Sequence, residues 1–276
     1  MTSTARCSVR LLFVGMILLM FWGIGVTAQN SNQTPPPVRA FSSYAQKFVA
    51  KYRPPMRTRS AAGIAVYNAA SPGVVFVMVG DVKGNDLTNV SLGSGVIIDP
   101  HGYVLTNWHV INGHRYGVVV LKPSSPAEIA NPRTYVGEVI SENSVVDLAL
   151  IKLQNPPSDL HVIPLGSMSD VQIAETINII GHPAGGVPWS YSTGVISQIS
   201  KDNEWSYEDG SKHQADVLQM QTAINPGNSG GPVLDDNGKL LGLVAMSTQG
   251  AQNLDFAIAI DVIRNFTSQA MARAQR

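Results

Sequence analysis

The sequence predicts an all-β fold, and two observations support that prediction. The chain has 276 residues, of which 25 are Gly and 17 are Pro, and so many turn-forming residues favour short strands over long helices. From about Ser71 onward, short runs rich in Val, Ile and Leu are separated by Gly, Pro, Asn or Asp turns. Short strands at this spacing, without helices between them, indicate a barrel or a sandwich.

The predicted strands form two groups, divided near Asn155–Leu160. The first group comprises Gly73–Val79, Leu92–Ile98, Tyr103–Thr106, Tyr116–Leu121, Thr134–Ile140 and Leu148–Leu153. The second group comprises Thr176–Ile180, Thr193–Ile199, Val217–Gln221, Leu240–Met246 and Leu254–Ile260. After them, 261–276 is predicted to be a helix, because Ile263, Phe266 and Ala270 lie on one face at helical spacing.

Charge and cysteine content exclude several classes of protein. The 19 Lys and Arg residues balance 19 Asp and Glu residues, so a globally basic nucleic-acid-binding protein is excluded. Apolar residues make up 44% and charged residues 14% of the chain, which indicates a packed core and not disorder. The one cysteine, Cys7, excludes an intramolecular disulfide and a cysteine-rich zinc site. We expect no cofactor, and His109 and His114 lack a third ligand at metal spacing.

The pattern of residues 1–28 predicts an export signal. Arg6 and Arg10 precede the apolar run Leu11–Val26, and Val26-Thr27-Ala28 offers the small residues that a signal peptidase recognises. We expect cleavage after Ala28 and a periplasmic or secreted protein. The alternative is a membrane anchor formed by residues 11–26, although 16 residues are fewer than the roughly 20 that a membrane span needs.

The composition of residues 29–70 predicts a polar and basic linker that contains one short amphipathic helix. Four aromatic residues recur at spacings of three and four, which places them in one stripe: Phe41, Tyr44, Phe48 and Tyr52. Three roles are open for this aromatic stripe. It could pack on the main domain, form the contact of a homo-oligomer, or belong to a basic helix that lies on an anionic membrane surface.

A glycine-rich turn, Asn225-Pro-Gly-Asn-Ser-Gly-Gly-Pro232, is the first candidate for chemistry. Its Ser229 is a candidate nucleophile, because the surrounding glycines let the backbone fold tightly around one side chain. Such a turn can direct the amides of Gly227 and Ser229 at one point, where they would form an oxyanion hole. The alternative is a plain turn rich in small residues.

His109 and Asp147 are candidates for the base and for the acid that orients it. His109 closely follows the predicted strand Tyr103–Thr106, and a neutral imidazole can accept the proton of a serine hydroxyl. Asp147 opens the apolar strand Leu148–Leu153, where a carboxylate needs a partner that the imidazole could supply. The alternatives are a packed or solvated histidine and an aspartate satisfied by backbone amides.

In the order His, Asp, Ser, these motifs resemble the trypsin-like serine proteases, and most closely their HtrA/Deg branch. The resemblance extends from about Ser71 to Asn265 and is carried by five segments: Gly93-Ser-Gly-Val-Ile-Ile-Asp99, Thr106-Asn-Trp-His-Val110, Asp147-Leu-Ala-Leu-Ile-Lys152, Thr193-Gly-Val-Ile-Ser197 and Asn225–Pro232. It implies a protease domain at 71–276, built of two six-stranded antiparallel β-barrels at about 71–155 and 160–260. The site would lie in the cleft between the barrels.

The resemblance also implies a role for each candidate residue. Ser229 would be the nucleophile, His109 the general acid and base, and Asp147 its orienting acid. The oxyanion hole would use the amides of Gly227, Asn228 and Ser229. The primary pocket would be lined by four uncharged residues that favour an aliphatic substrate side chain: Ala223, Met246, Ser247 and Thr248.

The implied activity is that of a serine endopeptidase that cleaves unfolded or flexible polypeptides through an acyl-enzyme, without metal or cofactor, in envelope quality control or regulated proteolysis. The PDZ domain that usually follows in this branch is not expected here. Ala245 stands where the family has a Ser or Thr hydroxyl that supports the acid, so we expect Asp147 to lack one donor. The alternative is therefore a weak or inactive peptide-binding module on the same fold.

Some residues outside these motifs also receive an interpretation. Trp205 and Tyr207 lie among acidic residues and are predicted in an exposed loop between strands, where a regulatory role is open. His101, His161 and His213 are predicted to be solvated. His182 stands where relatives often have Asn, and it could shape a loop.

Overall fold

The computed structural model describes residues 38–52, 61–83, 86–184, 186–247 and 254–274. The predicted export signal, the alternative anchor at 11–26 and the pocket residue Thr248 all lie outside this described part. No helix within the described residues has the length and apolar character needed to cross a membrane.

Residues of the first half form a closed six-stranded barrel with antiparallel pairing. Its strands are β1 (Val74–Lys83), β2 (Asp86–Asp99), β3 (Tyr103–Thr106), β4 (Tyr116–Val120), β5 (Thr134–Asn143) and β6 (Leu148–Leu153). They follow the order β1-β2-β3-β6-β5-β4, and pairing of β4 with β1 closes the ring. The pairing of β3 with β6 matters most for the site, because it sets Thr106 opposite Ala149.

A second closed barrel follows. Its strands are β7 (Thr176–Gly181), β8 (Ser190–Ser206), β9 (Lys212–Gln221), β10 (Pro232–Leu234), β11 (Leu240–Ser247) and β12 (Asp255–Ala259). They follow the order β10-β11-β12-β9-β8-β7, and pairing of β10 with β7 closes the ring. The expected all-β fold of two six-stranded antiparallel barrels is confirmed.

Four elements were not among the sequence predictions: strand β10 and the helices at Ala61–Ala70, Trp108–Ile111 and Pro126–Ala130. Strand β10 has only three residues, which is too short for the alternation on which strand prediction depends. In the segment predicted as a linker, Ala61–Ala70 forms a helix, because its alanines favour helix and its Val66 and Tyr67 are buried.

The helices are α1 (Val38–Val49), α2 (Ala61–Ala70), α3 (Trp108–Ile111), α4 (Pro126–Ala130) and α5 (Ile260–Ala274). Helix α5 starts one residue before the predicted boundary. The face predicted for it, with Ile263, Phe266 and Ala270, is buried.

The core consists of three apolar clusters. One cluster gathers residues of the first barrel, such as Val75 and Ile151, and another gathers residues of the second barrel, such as Ile179 and Val244. The third cluster is shared, because Phe76 of the first barrel and Leu243 of the second belong to it together with residues of α1, α2 and α5. The two barrels therefore share one apolar cluster, in addition to the cluster that each barrel packs for itself.

The aromatic stripe packs largely within the chain. Phe41, Phe48 and Tyr52 are buried, whereas 38% of Tyr44 is exposed. The Phe48 ring stacks on Phe76 with ring centres 4.1 Å apart, and Tyr52 packs edge-on against Trp189 at 5.5 Å. Packing on the main domain thus accounts for three of the four side chains, and a subunit contact through the stripe would have to use Tyr44.

Candidate active site

His109 and Asp147 meet at the end of two paired strands. His109 lies in α3, just after β3, and Asp147 lies just before β6. Because β3 and β6 are neighbours, their ends bring both side chains to the same edge of the first barrel. The Nδ1 atom of His109 lies 2.9 Å from Oδ2 and 3.1 Å from Oδ1 of Asp147, and the backbone amide of His109 donates to Oδ1 at 3.0 Å.

The backbone of Asp147 adopts an unusual conformation. Its φ is 55°, in the left-handed region that Asp tolerates better than most residues because its short side chain can form local hydrogen bonds. The residue is fully buried. Its main-chain carbonyl accepts from the Asn107 side chain at 3.0 Å and from the Trp108 amide at 3.2 Å. Hydrogen bonds therefore hold both the carboxylate and the main-chain carbonyl of Asp147 in position.

A third donor reaches the Asp147 carboxylate from the other barrel. The hydroxyl of Tyr207, in the β8–β9 connection, donates to Oδ2 at 2.9 Å. Besides the imidazole, Asp147 thus has the His109 amide and the Tyr207 hydroxyl as donors. The expectation that Ala245 leaves the acid short of a donor is not met, because a distant segment supplies the missing hydroxyl.

Sequence reasoning missed Tyr207. Its acidic neighbours predicted an exposed loop: Asp202, Glu204, Glu208 and Asp209. In the structure Tyr207 is half-buried, since its ring lies 4.6 Å from the imidazole of His109. The one available signal was Ala245: the lack of a hydroxyl there raises the question of which other residue satisfies the buried acid.

The prediction that His213 is solvated is wrong, because its ring, on strand β9, packs against other aromatic rings. His213 is 3% exposed. It lies between Trp205 and Trp108, with ring centres 5.4 Å and 5.8 Å away, and its Nδ1 atom donates to the Ser144 carbonyl at 2.5 Å.

Two glycines make the turn around Ser229 possible. Gly227 has a φ of 95° and Gly230 a φ of 80°, both in the left-handed region. A Cβ atom on Gly227 would overlap the His182 carbonyl, and one on Gly230 would overlap the Ser94 carbonyl. A side chain at either position would therefore push the turn away from the strands beneath it.

Hydrogen bonds orient the peptide groups of this turn. The Pro226 carbonyl accepts from the Ala184 amide at 2.6 Å. Because C=O and N–H point in opposite directions across a trans peptide, this bond turns the Gly227 amide away from Ala184. Within the described residues, the amides of Gly227 and Ser229 have no hydrogen-bond partner, whereas the Asn228 amide donates to the Asn225 carbonyl at 3.0 Å. Of the three predicted donors of the oxyanion hole, the two at Gly227 and Ser229 are thus available.

A buried serine and histidine support the same turn from below. The Ser94 hydroxyl donates to the Gly227 carbonyl at 2.8 Å, and the Nδ1 atom of His182 lies 3.0 Å from Ser94 Oγ. Since the one hydroxyl proton is used on Gly227, Nδ1 of His182 must carry the proton that it donates to Ser94. The opposite atom, Nε2, is buried without a partner among the described residues. Burial lowers the pKa of His182 to about 3, so the ring is neutral.

Ser229 lies on the turn before β10 of the second barrel and is bound to the first barrel through its backbone. Its carbonyl accepts from the Ser94 amide at 2.8 Å, which ties the turn to β2 of the first barrel. Its hydroxyl donates to the Ala245 carbonyl at 3.4 Å, and no hydrogen bond within the described residues joins it to His109.

The predicted primary pocket is only partly in view. Ala223 lies just beyond β9 and is exposed, and Met246 and Ser247 are the last residues of β11. The assignment of these residues to a pocket stays a prediction.

Comparisons with known proteins agree with this architecture. The sequence model of the trypsin-like peptidase domain matches residues 93–243. A relative from Arabidopsis thaliana, "Protease Do-like 1, chloroplastic", is 30% identical over 82% of this chain and 51% of its own length. A Staphylococcus aureus relative, "Serine protease HtrA-like", is 27% identical over 64% of this chain and 23% of its own length. The chain thus spans about half or less of the length of the curated relatives it matches.

Solved structures give the same result. "HtrA-type protease AlgW with tripeptide" matches with a TM-score of 0.63 and 26% identity, over 77% of this chain and 64% of that one. The serine endoprotease from Yersinia pestis matches with a TM-score of 0.61 and 25% identity, over 78% of this chain and 68% of that one. With its two closed barrels and a family match that covers more than half of its length, the chain belongs to the trypsin-like peptidase family, among relatives of the HtrA type.

Proposed function

We propose that the chain is a serine endopeptidase that uses Ser229, His109 and Asp147 as its catalytic triad. The observation that carries the proposal is the buried Asp147 carboxylate bound to the His109 ring at 2.9 Å, set beside a glycine-rich turn in which the amides of Gly227 and Ser229 are unpaired within the described residues. A buried carboxylate on an imidazole fixes the tautomer that a general base needs. Two unpaired amides at a serine are what a developing oxyanion requires.

In the proposed reaction, Ser229 Oγ attacks the carbonyl carbon of a peptide bond and gives its proton to His109 Nε2. The amides of Gly227 and Ser229 stabilise the oxyanion, and Asp147 stabilises the imidazolium. His109 then transfers its proton to the departing amine, which leaves an acyl group on Ser229. Water, activated by the same imidazole, attacks this ester and releases the acid product.

The substrate class follows from the free edge of β11. Strand β10 pairs with β11 as far as Leu243, while β12 pairs with it as far as Ser247. Among the residues that the structure describes, the backbone of Met246 and Ser247 therefore has a strand neighbour on one side only. An extended segment of a polypeptide could pair with the other side as an added strand, which requires a substrate that is unfolded or flexible.

Labelling with a fluorophosphonate probe tests the proposal, since this probe reacts only with an activated serine. We expect an adduct on Ser229, located by mass spectrometry of the digested protein, and no adduct in Ser229→Ala or in folded His109→Ala. Cleavage of an unfolded protein such as reduced casein should depend on the same two residues. A folded wild-type chain that is labelled at the same rate as His109→Ala would contradict the triad.

One observation favours a second candidate function. The Ser229 hydroxyl is directed at the Ala245 carbonyl and not at His109, which suits a module that binds extended peptides without cleaving them. Such a module would retain casein without fragments and would not react with the probe. The same labelling experiment therefore separates the two functions.

We also propose export of the protein to the periplasm or the medium, with a role in protein quality control or regulated proteolysis. The support is the basic and apolar pattern of residues 1–28. Mass analysis of the protein purified from its native host should give an N-terminus at Gln29. A chain that keeps residues 11–26 would support the anchored alternative.

A further inference from the structure

The buried Asp147 carboxylate creates a physical requirement. A carboxylate without solvent contact is stable in its charged form only if hydrogen-bond donors replace the lost water. The imidazole and amide of His109 are two such donors, and both belong to the same residue. The side chain at position 245 is a methyl group and provides no hydroxyl.

Tyr207 supplies the donor from a different barrel. Its hydroxyl lies 2.9 Å from Asp147 Oδ2 and 3.3 Å from the Ala245 carbonyl. The charged carboxylate is the closer and the stronger acceptor, since bonds to ionised groups are about twice as strong as neutral ones. The same Oδ2 atom accepts from His109 Nδ1, so Tyr207 and His109 donate to one and the same oxygen.

The segment that carries Tyr207 is attached to the loop that carries Asp147. At the tip of the β8–β9 hairpin, the Tyr207 amide donates to the Ser211 carbonyl at 3.1 Å and the Gly210 amide donates to the Tyr207 carbonyl at 3.0 Å. Below the tip, the Gln214 amide donates to the Val145 carbonyl at 2.7 Å. The β8–β9 hairpin of the second barrel is therefore bound to residues 144–147 of the first barrel by both backbone and side-chain hydrogen bonds.

The charges near Tyr207 do not prevent its hydroxyl from acting as a hydrogen-bond donor. Burial and the negative charge of Asp147 hold the pKa of Tyr207 above its usual value, so the hydroxyl keeps its proton. Asp209 lies on the same hairpin tip, and its carboxylate accepts from the Ser211 amide at 2.9 Å and from the Ser211 hydroxyl at 2.6 Å. The Asp209 carboxylate thus accepts hydrogen bonds within the tip, while the Tyr207 hydroxyl donates to Asp147.

We propose that Tyr207 is a positioning residue of the active site, whose hydroxyl holds the Asp147 carboxylate against His109 and so links the second barrel's hairpin to the acid–base pair of the first. The proposal rests on the proposed function, in which that pair activates Ser229. Tyr207 acts through Asp147 and does not contact the reacting atoms. It takes over the supporting role that Ala245 cannot fill.

The test replaces only the hydroxyl. In Tyr207→Phe the ring and its packing on His109 remain, while Asp147 loses one donor. The matched control is Tyr191→Phe: Tyr191 lies on strand β8, which leads into the connection that carries Tyr207, and its hydroxyl donates to Asn178 at 2.6 Å. Both changes remove one short hydrogen bond of a tyrosine on the β8–β9 unit, but only the first touches Asp147.

We expect the maximal rate of fluorophosphonate labelling to fall about tenfold in Tyr207→Phe, with the half-saturating probe concentration unchanged. The control should label at the wild-type rate. Equal maximal rates in wild type and Tyr207→Phe would overturn the inference while leaving the triad intact. Equal losses in Tyr207→Phe and Tyr191→Phe would also overturn it, since they would show a general structural effect.

A second measurement does not depend on catalysis. In Ser229→Ala protein, NMR at a pH where His109 is protonated should show the Nδ1 proton of His109 far downfield because of its bond to Asp147. Adding Tyr207→Phe should move this resonance, since a carboxylate that Tyr207 no longer holds in place changes its bond to the Nδ1 proton; adding Tyr191→Phe should not. An unchanged resonance in the Tyr207→Phe protein would refute the positioning role, whether or not the wild-type chain proves to be a protease.

Discussion

Asp147 combines full burial, a positive φ of 55° and a carboxylate that faces donors from two barrels. Each feature has a local cause. The left-handed backbone turns the chain sharply before β6, and Asp accepts this conformation more readily than a β-branched residue would. The carboxylate can stay charged because the His109 ring, the His109 amide and the Tyr207 hydroxyl donate to it. A residue that the sequence marks only as an acid before an apolar strand thus becomes the fixed end of the candidate triad.

His182 is the residue whose protonation should couple most directly to stability. Its ring is buried and neutral, and burial lowers its pKa to about 3, whereas an unfolded histidine has a pKa of about 6.5. Between these values the unfolded chain binds one proton that the folded chain does not. The free energy of unfolding should therefore fall as the pH falls through this window.

The comparison of wild type with His182→Asn checks this expectation. Asn can still donate to Ser94 Oγ but does not titrate. Between about pH 6 and pH 4, the unfolding free energy of the variant should therefore depend less steeply on pH than that of the wild type, and the difference in slope should correspond to one proton. Urea unfolding at a series of pH values measures both slopes, and the difference cancels the contributions of other groups such as Asp209 and Asp216. Parallel curves for the two proteins would show that His182 does not stay neutral in the folded state.

At the scale of single elements, helix α1 illustrates how one amphipathic stripe can be read in three ways. Its aromatic spacing predicts a helix with one apolar face, and the structure packs Phe48 of that face on β1. Tyr52, which follows the end of the helix, packs against Trp189. The Phe48 ring also lies 6.2 Å from His182, which supports the turn around Ser229. The helix therefore packs behind the candidate site, and it leaves Tyr44 exposed.

Replacing Phe48 and Tyr52 by Ala should destabilise the chain without changing its mass in solution. Loss of a buried Phe typically costs about 3–5 kcal/mol, and both side chains are buried within one chain here. Urea unfolding measures the loss, and light scattering measures the mass. Tyr44→Ala serves as the control, since its partly exposed ring should contribute little to stability. A double variant of unchanged stability that lowers the mass of an oligomer would instead assign the stripe to a subunit contact.

At the same scale, the β8–β9 hairpin shows how much of a hairpin its sequence reveals. Both of its strands were predicted, because Val and Ile alternate or cluster in them. The length of β8, 17 residues, and the place its tip reaches were not predicted. Local alternation reports that a strand exists, but the partner that a hairpin tip touches depends on the other barrel.

At the largest scale, the two barrels are held together by a shared apolar cluster and by hydrogen bonds between them. Phe76 and Leu243 belong to one apolar cluster, and the Ser94 amide donates to the Ser229 carbonyl. The Ile163 amide donates to the Ile97 carbonyl, which ties the connection between the barrels to β2. The candidate site lies at this junction, so its geometry depends on both barrels being folded.

We therefore expect residues 29–276 to unfold in a single cooperative transition at neutral pH. Differential scanning calorimetry of Ser229→Ala protein, which excludes self-cleavage, should give equal calorimetric and van't Hoff enthalpies. The Phe48→Ala and Tyr52→Ala double variant should shift that one transition to lower temperature and not split it. Two resolved transitions would mean that the barrels fold independently and that the shared cluster contributes little.

The sequence by itself determined the all-β class, the division into two strand groups, and the identities of His109, Asp147 and Ser229 as candidates. These follow from periods of two residues, from turn residues and from short motifs, all of which are local. The tertiary structure decided the short strand β10, the burial of His213 and the partners of Asp147. It also decided that the hydroxyl missing at Ala245 comes from Tyr207, which is 60 positions away from Asp147. The physical reason is that a buried charge needs donors close in space, and the closing of two barrels brings together residues whose proximity no local pattern records.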